Sequence, residues 1–210
     1  STGLAKQLQD LGTPVLMADP SWHRLAPARR AGVPTYHGEI LNEAAEHNLD
    51  LTPYQVLVAA TDNEAYNALV CNEFAHQIGR EAVYQLSEDD GEGEDPRSLP
   101  ESLRGRALFT AGFGMSDVHE RQQQGWVFRK TRLSDKFDLA QAREALPGEA
   151  QMLLLLRKNG AMRFFTHASV PDPQPGDTVI SYSPAGKRTV DEVTRQGSDE
   201  EAAETRIQSA

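Results

Sequence analysis

The chain has 210 residues, 39% hydrophobic and 25% charged, the balance of an ordinary soluble globular protein with room for one large domain or two small ones. A formal net charge of −10 argues against a nucleic-acid partner, whose phosphates need clustered Lys and Arg. The single cysteine, Cys71, excludes an internal disulfide and fits a reducing compartment, and no apolar run approaches a membrane span or opens a signal peptide.

Leu4, Leu8 and Leu11 fall on one face and predict a helix over 3–11, stopped by Gly12 and Pro14. An α/β domain normally opens on a strand. The expectation is therefore a fragment of a longer chain, cut just after its first strand. Val15 to Ala18 reads as a short apolar strand ending at Asp19, with Pro20 blocking its continuation. An acid at this point is where dinucleotide folds hydrogen-bond a ribose, and a turn or helix-cap role explains it equally well. A short basic helix follows over 22–31 with Arg24, Arg29 and Arg30, its regularity limited by Pro27 and its end set by Gly32. Val33 to Tyr36 is a strand, followed by His37-Gly38-Glu39; 41–47 is helical and 48–53 a turn.

The stretch from Val56 to Asn67 organises this half. An apolar run passes through small residues into Thr61-Asp62-Asn63 and becomes helical, the pattern of a buried parallel strand, a tight turn and a helix. All three turn residues are N-cap candidates, and Glu64 adds charge to the first turn. Ligands of open α/β sheets sit outside the carboxyl ends of the strands, so this turn is either a ligand contact or a plain cap. Cys71 lies within the helix as a small buried hydrophobe. Gly79 stops the pattern and 81–86 is another strand. Strand and helix alternate with short connections, the signature of a doubly wound parallel sheet.

Residues 87–100 change character: Ser-Glu-Asp-Asp-Gly-Glu-Gly-Glu-Asp-Pro is a solvated acidic linker whose spacing does not fit an EF-hand. Ala107 to Phe109 reads as a short strand. Gly112-Phe113-Gly114 reads as a turn, with Ser116 or Asp117 capping a helix over 117–124. Then come a strand at 126–133, a helix at 137–146, a hairpin of 151–156 and 162–166 about Lys158-Asn159-Gly160, and a strand at 178–182. The reading is a Rossmann-like α/β domain (1–86), the linker (87–100), a smaller β-rich α+β domain (101–195) and an acidic tail (196–210). No nucleophile elbow, phosphate-cradling Gly-Lys loop or His-Glu-x-x-His is present, and the six histidines have no metal-ligand spacing. Binding rather than turnover is expected, with no catalytic and no metal residues.

Residues 3–86 resemble the regulator-of-potassium-conductance (RCK), or Trk-type NAD-binding, domain. The features that carry this are the helix after the glycine loop, Val15 to Asp19, Tyr36-His37-Gly38-Glu39, and Ala60-Thr61-Asp62-Asn63 with Asn67. Pro173-Gln174-Pro175-Gly176-Asp177-Thr178-Val179-Ile180 resembles the closing strand of the companion C-terminal domain, and 126–182 the tail of bacterial sodium/proton and potassium/proton antiporters. The resemblance implies the cytoplasmic regulatory part of an inner-membrane monovalent cation/proton antiporter. Such a part is soluble by itself, a homodimer, joined to a membrane transport domain of the same polypeptide, and gated by NAD, NADH or an adenine nucleotide such as AMP or ATP. Carried over, Gly3 is the last glycine of the phosphate turn, Asp19 meets the adenosine ribose, Gly38 and Glu39 the adenine side, and Thr61, Asp62 and Asn63 the phosphate or ribose side. The chain departs from the family in lacking the rest of the glycine turn, in Glu39 where Asp is usual, and in the acidic insertion at 88–95. Two alternatives remain: a dimerisation module with a degenerate site and no cofactor, or a soluble NAD(P)-dependent oxidoreductase.

Overall fold

In the computed structural model, the described residues are 2–87, 100, 103–109, 113–166 and 169–185. The acidic insertion, the tail and Gly112 of the expected turn lie outside them. The N-terminal half alternates as read: α1 (Thr2–Asp10), β1 (Met17–Asp19), α2 (Trp22–Arg30), β2 (Thr35–His37), α3 (Glu43–Asn48), β3 (Leu57–Ala59), α4 (Glu64–Ile78) and β4 (Val83–Gln85). Side-chain caps set several starts. Ser21, Asn42 and Asn63 each accept a hydrogen bond from a first-turn amide of α2, α3 and α4. Of the three candidates before α4, Asn63 is the cap. Gly79 ends that helix with φ of 98°, a conformation glycine adopts without penalty. Pro27 sits inside α2, which runs through it to Arg30.

β1 and β2 pair in parallel, Asp19 opposite His37. β3 and β4 also pair in parallel, and β5 (Arg106–Ala107) joins β4 as a third parallel strand. Counted as second and third, then fourth to sixth, these strands give the two halves of the doubly wound order 3-2-1-4-5-6. Among the described residues no strand pairs between β1 and β3, the position of strand one in that order.

The rest is α5 (Met115–Gln123), β6 (Val127–Arg132), α6 (Leu139–Glu144), β7 (Gln151–Leu156), β8 (Met162–Phe164) and β9 (Thr178–Ser183). The strands form one antiparallel sheet in the order β6-β9-β7-β8. The capping of α5 differs from expectation. Gly114 occupies the N-cap, and Asp117, two residues into the helix, accepts from the Gly114 amide at 2.9 Å. α6 is shorter than 137–146 because Asp138, capping Gln141, starts it and Pro147 follows closely. The hairpin turns at Gly160 with φ of 82°.

The parallel half and the antiparallel sheet share a core. Leu8, Tyr84 and Leu86 from the parallel side cluster with Trp126, Leu154, Phe164, Ile180 and Tyr182 from the antiparallel side. Tyr84 and Phe164 meet at 4.8 Å between ring centroids. A backbone seam accompanies this contact: Leu108 bridges Thr166, and the Phe109 amide donates to the Phe165 carbonyl at 3.1 Å. Burial of such aromatic side chains is the largest favourable contribution available to this interface. Among the described residues no helix is long and apolar enough to cross a membrane.

Candidate functional site

Parallel pairing brings the ends of β1 and β2 side by side, and the first turn of α4 closes over them. Asp19 ends β1. The backbone turns at once, so the Ser21 amide donates to Asp19 Oδ1 at 2.7 Å, while Ser21 caps α2. Among the described residues the second carboxylate oxygen of Asp19 has no hydrogen-bond partner. The Gly38 amide donates to the Asp19 carbonyl at 3.3 Å, which fixes the end of β2 against that of β1. Gly38 lies under Tyr36, where a Cβ would stand 3.1 Å from the ring.

Glu39 follows, half-buried, and accepts from the Tyr66 hydroxyl at 3.0 and 3.3 Å. Burial, then the Glu39 hydrogen bond, then the charges of Glu39 and Asp19 push the Tyr66 phenol up to about 12. Asp19, Glu39 and Tyr66 thus form one acidic, acceptor-rich corner. Beside it, the Arg29 guanidinium lies 3.5 Å from the Trp22 ring centroid, and Trp22 meets His37 edge-on at 5.3 Å. His37 Nε2 is 3.0 Å from the Pro20 carbonyl.

The Thr61–Asn63 turn is organised inward. Thr61 donates its amide (3.0 Å) and its hydroxyl (2.7 Å) to Asn67 Oδ1, and Asn67 Nδ2 returns a bond to the Thr61 carbonyl at 3.0 Å. The Asn63 amide donates to Thr61 Oγ1, and Asn63 Oδ1 caps Tyr66. Asn67 is fully buried. Asp62 is exposed. Gly3 lies in α1 against β6, where a Cβ would come within 2.7 Å of the Phe128 ring; it serves close helix–sheet packing.

Of the seven residues carried over, the structure brings Asp19, Gly38 and Glu39 together. Thr61 and Asn63 are bonded within their own turn, and Gly3 packs against Phe128. Tyr66 and Trp22 were not foreseen. The signal for Tyr66 was its place three residues after the cap Asn63, on the first turn of a helix whose N-terminus faces the strand ends. No group of His, Cys, Asp and Glu among the described residues could hold a metal ion. Cys71 is buried, donates to the Tyr84 carbonyl at 3.3 Å, and burial pushes its thiol up to about 11, so it is an inert packing residue.

Parallel strands, crossover helices and an acid at the end of the strand after α1 define a protein of the dinucleotide-fold class. Residues 1–92 match the family model of the TrkA-N domain. No curated protein matches the chain. Among solved structures, the crystal structure of the GsuK RCK domain aligns over 86% of this chain with 9% identity and a TM-score of 0.32. The chain spans 45% of that protein's length.

Proposed function

We propose that this chain is the nucleotide-sensing regulatory module of a monovalent cation/proton antiporter and is not an enzyme. The observation that carries the reading is the corner of Asp19, Glu39 and Tyr66 at the carboxyl ends of β1 and β2, within the segment that matches the TrkA-N domain. A carboxylate with a free oxygen accepts from ribose hydroxyls, and the strand-end position is where the adenosine half of a dinucleotide lies in this fold class. Asp19 takes the ribose, Gly38 and Glu39 the adenine side, and NAD, NADH, AMP or ATP are the candidate ligands. Asp62, exposed on the β3–α4 turn, is the remaining contact on that side. The parallel-sheet unit, which β5 completes, and the antiparallel-sheet unit that follows it act as sensor and companion domain of a homodimer at the cytoplasmic face of the membrane. Ligand binding shifts the dimer's conformational equilibrium by the difference in affinity for its two states, and the transport domain reads the shift.

Thermal unfolding with NAD, NADH, ATP, ADP and AMP tests this. A ligand at about 100 times its Kd stabilises the fold by roughly 2.7 kcal/mol. Stabilisation by one adenine nucleotide, lost in Asp19→Ala, is the expected result. The second reading, a dimerisation module with a degenerate site, draws on the inward bonding of Thr61 and Asn63. It predicts self-association without any nucleotide effect.

A further inference from the structure

Arg106 on β5, Arg157 in the turn just after β7 and Arg163 on β8 all line one cavity of about 250 Å³. Tyr84, Phe164 and the 169–172 segment complete its walls. This concentration of guanidinium groups runs against a chain charge of −10.

Internal partners do not use up these cations. Arg157 Nη1 lies 3.0 Å from the buried Asp177 carboxylate. Arg106 Nη1 is 3.4 Å from the Glu81 carboxylate, whose side chain is 91% exposed, a pair of little energetic worth. The same nitrogen reaches the Glu81 carbonyl at 3.3 Å and the Tyr84 hydroxyl at 3.4 Å. Arg163 donates to the Met162 carbonyl at 3.1 Å, and among the described residues no carboxylate pairs with it. Asp172, the acid in the wall, accepts from Gln174 Nε2 at 3.3 Å.

Each guanidinium carries five N–H donors in a planar fork that matches an oxyanion edge. One fork satisfies a carboxylate. The Arg106 and Arg163 forks, with the donors of Arg157 that Asp177 leaves over, match a tetrahedral anion with three acceptor oxygens and up to two charges. The cavity is smaller than the roughly 300–1,000 Å³ typical of drug-sized ligands. We infer that this cavity binds a small phosphate-bearing anion, inorganic phosphate or a compact phosphate monoester. Tyr84 and Arg106 belong to the parallel sheet, and the other residues to the antiparallel sheet and its loops. A bound anion therefore ties the two sheets together at their seam. The site shares no residue with the Asp19 corner, so it stands whether or not a nucleotide binds there.

The test is calorimetric titration and thermal unfolding of the 210-residue chain with inorganic phosphate, ionic strength being held constant with chloride. Glycerol 3-phosphate serves as the monoester and acetate as the carboxylate. The expected result is saturable binding of one phosphate per chain, with a rise in melting temperature and far weaker binding of acetate. Arg163→Gln and Arg106→Gln should each weaken phosphate binding about tenfold or more, the worth of a charge-assisted hydrogen bond. Arg143→Gln on α6, which makes the same change in net charge away from the cavity, should keep the parent affinity. Tighter binding of the monoester than of free phosphate identifies the ester as the ligand type, and the reverse identifies the free ion. The inference is overturned if phosphate gives no saturable signal beyond matched chloride, if acetate binds as tightly, or if R106Q and R163Q both bind phosphate like the parent.

Discussion

The Tyr66 hydroxyl donates to the Glu39 carboxylate at 3.0 Å, joining the first turn of α4 to the end of β2 across 27 residues of sequence. This bond holds the strand-end corner together, and the Asp19 and Glu39 carboxylates give it its negative charge. Tyr66→Phe should cost on the order of 1 kcal/mol at neutral pH, from loss of one hydrogen bond to a charged, partly exposed acceptor. The same phenol sets an alkaline limb. Its folded-state pKa is raised to about 12 from an ordinary 10, so the unfolded chain loses that proton first as pH rises. The stabilisation is full below about pH 10 and is lost between about 10 and 12. The Cys71 thiol, raised to about 11 from an ordinary 9, adds a limb of the same sign starting nearer pH 9. Denaturant unfolding across that range should show falling stability, with a shallower fall in Tyr66→Phe and a later onset in Cys71→Ala relative to each variant's own neutral value.

Asn67 decides how the Thr61 turn folds. It is fully buried, accepts from the Thr61 amide and hydroxyl, and donates to the Thr61 carbonyl. Asn67→Ala strands the Thr61 amide and should cost about 2–4 kcal/mol, since each abandoned buried polar group costs about 1–3 kcal/mol. Asp62→Ala, at an exposed neighbour, should stay within about 0.5 kcal/mol. Urea unfolding of the two variants separates the structural residue of this turn from the solvent-facing one.

Asp177 anchors the antiparallel sheet. Its carboxylate, 3% exposed, accepts from Arg157 Nη1 at 3.0 Å, the Gln174 amide at 2.9 Å and the Lys158 amide at 3.3 Å. Asp177→Ala should cost about 3 kcal/mol or more, because one partner of a largely buried pair is left alone. Gly176, just before it, has φ of 90°, and a Cβ there would run into the Lys158 side chain. Gly176→Ala should cost about 1–2 kcal/mol from the backbone conformation, with the flexible lysine giving way. Melting temperatures of both variants measure this, and the ordering Asp177→Ala below Gly176→Ala is the outcome to check.

If a dinucleotide lies against Asp19, the acidic corner should discriminate against a phosphate on the ribose. Asp19 and Glu39 both act on the same phenol, so both charges face one small region. NADP should bind at least about tenfold more weakly than NAD, and Asp19→Asn should narrow that gap while weakening NAD itself. Titration of both cofactors against both proteins checks it. Equal affinity of the parent protein for the two would move the ribose away from Asp19.

Sequence alone determined the alternation of short apolar runs with capped helices from Thr2 to Gln85, because those elements rest on local signals: side-chain caps, helix-stopping glycines and prolines, and apolar periodicity. It also placed Asp19, Gly38 and Glu39 at strand ends, since in a parallel sheet the residue after a strand faces the carboxyl edge whatever its partners are. Tertiary structure decided the rest. Whether Thr61 faces a ligand or its own helix depended on Asn67 being buried beneath it, which spacing cannot report. The Glu39–Tyr66 bond, the core that Tyr84 shares with Phe164, and the meeting of Arg106 with Arg157 and Arg163 all join residues more than 20 positions apart. Such contacts are fixed by sheet order and by which faces are buried together. A chain read one segment at a time carries no record of either.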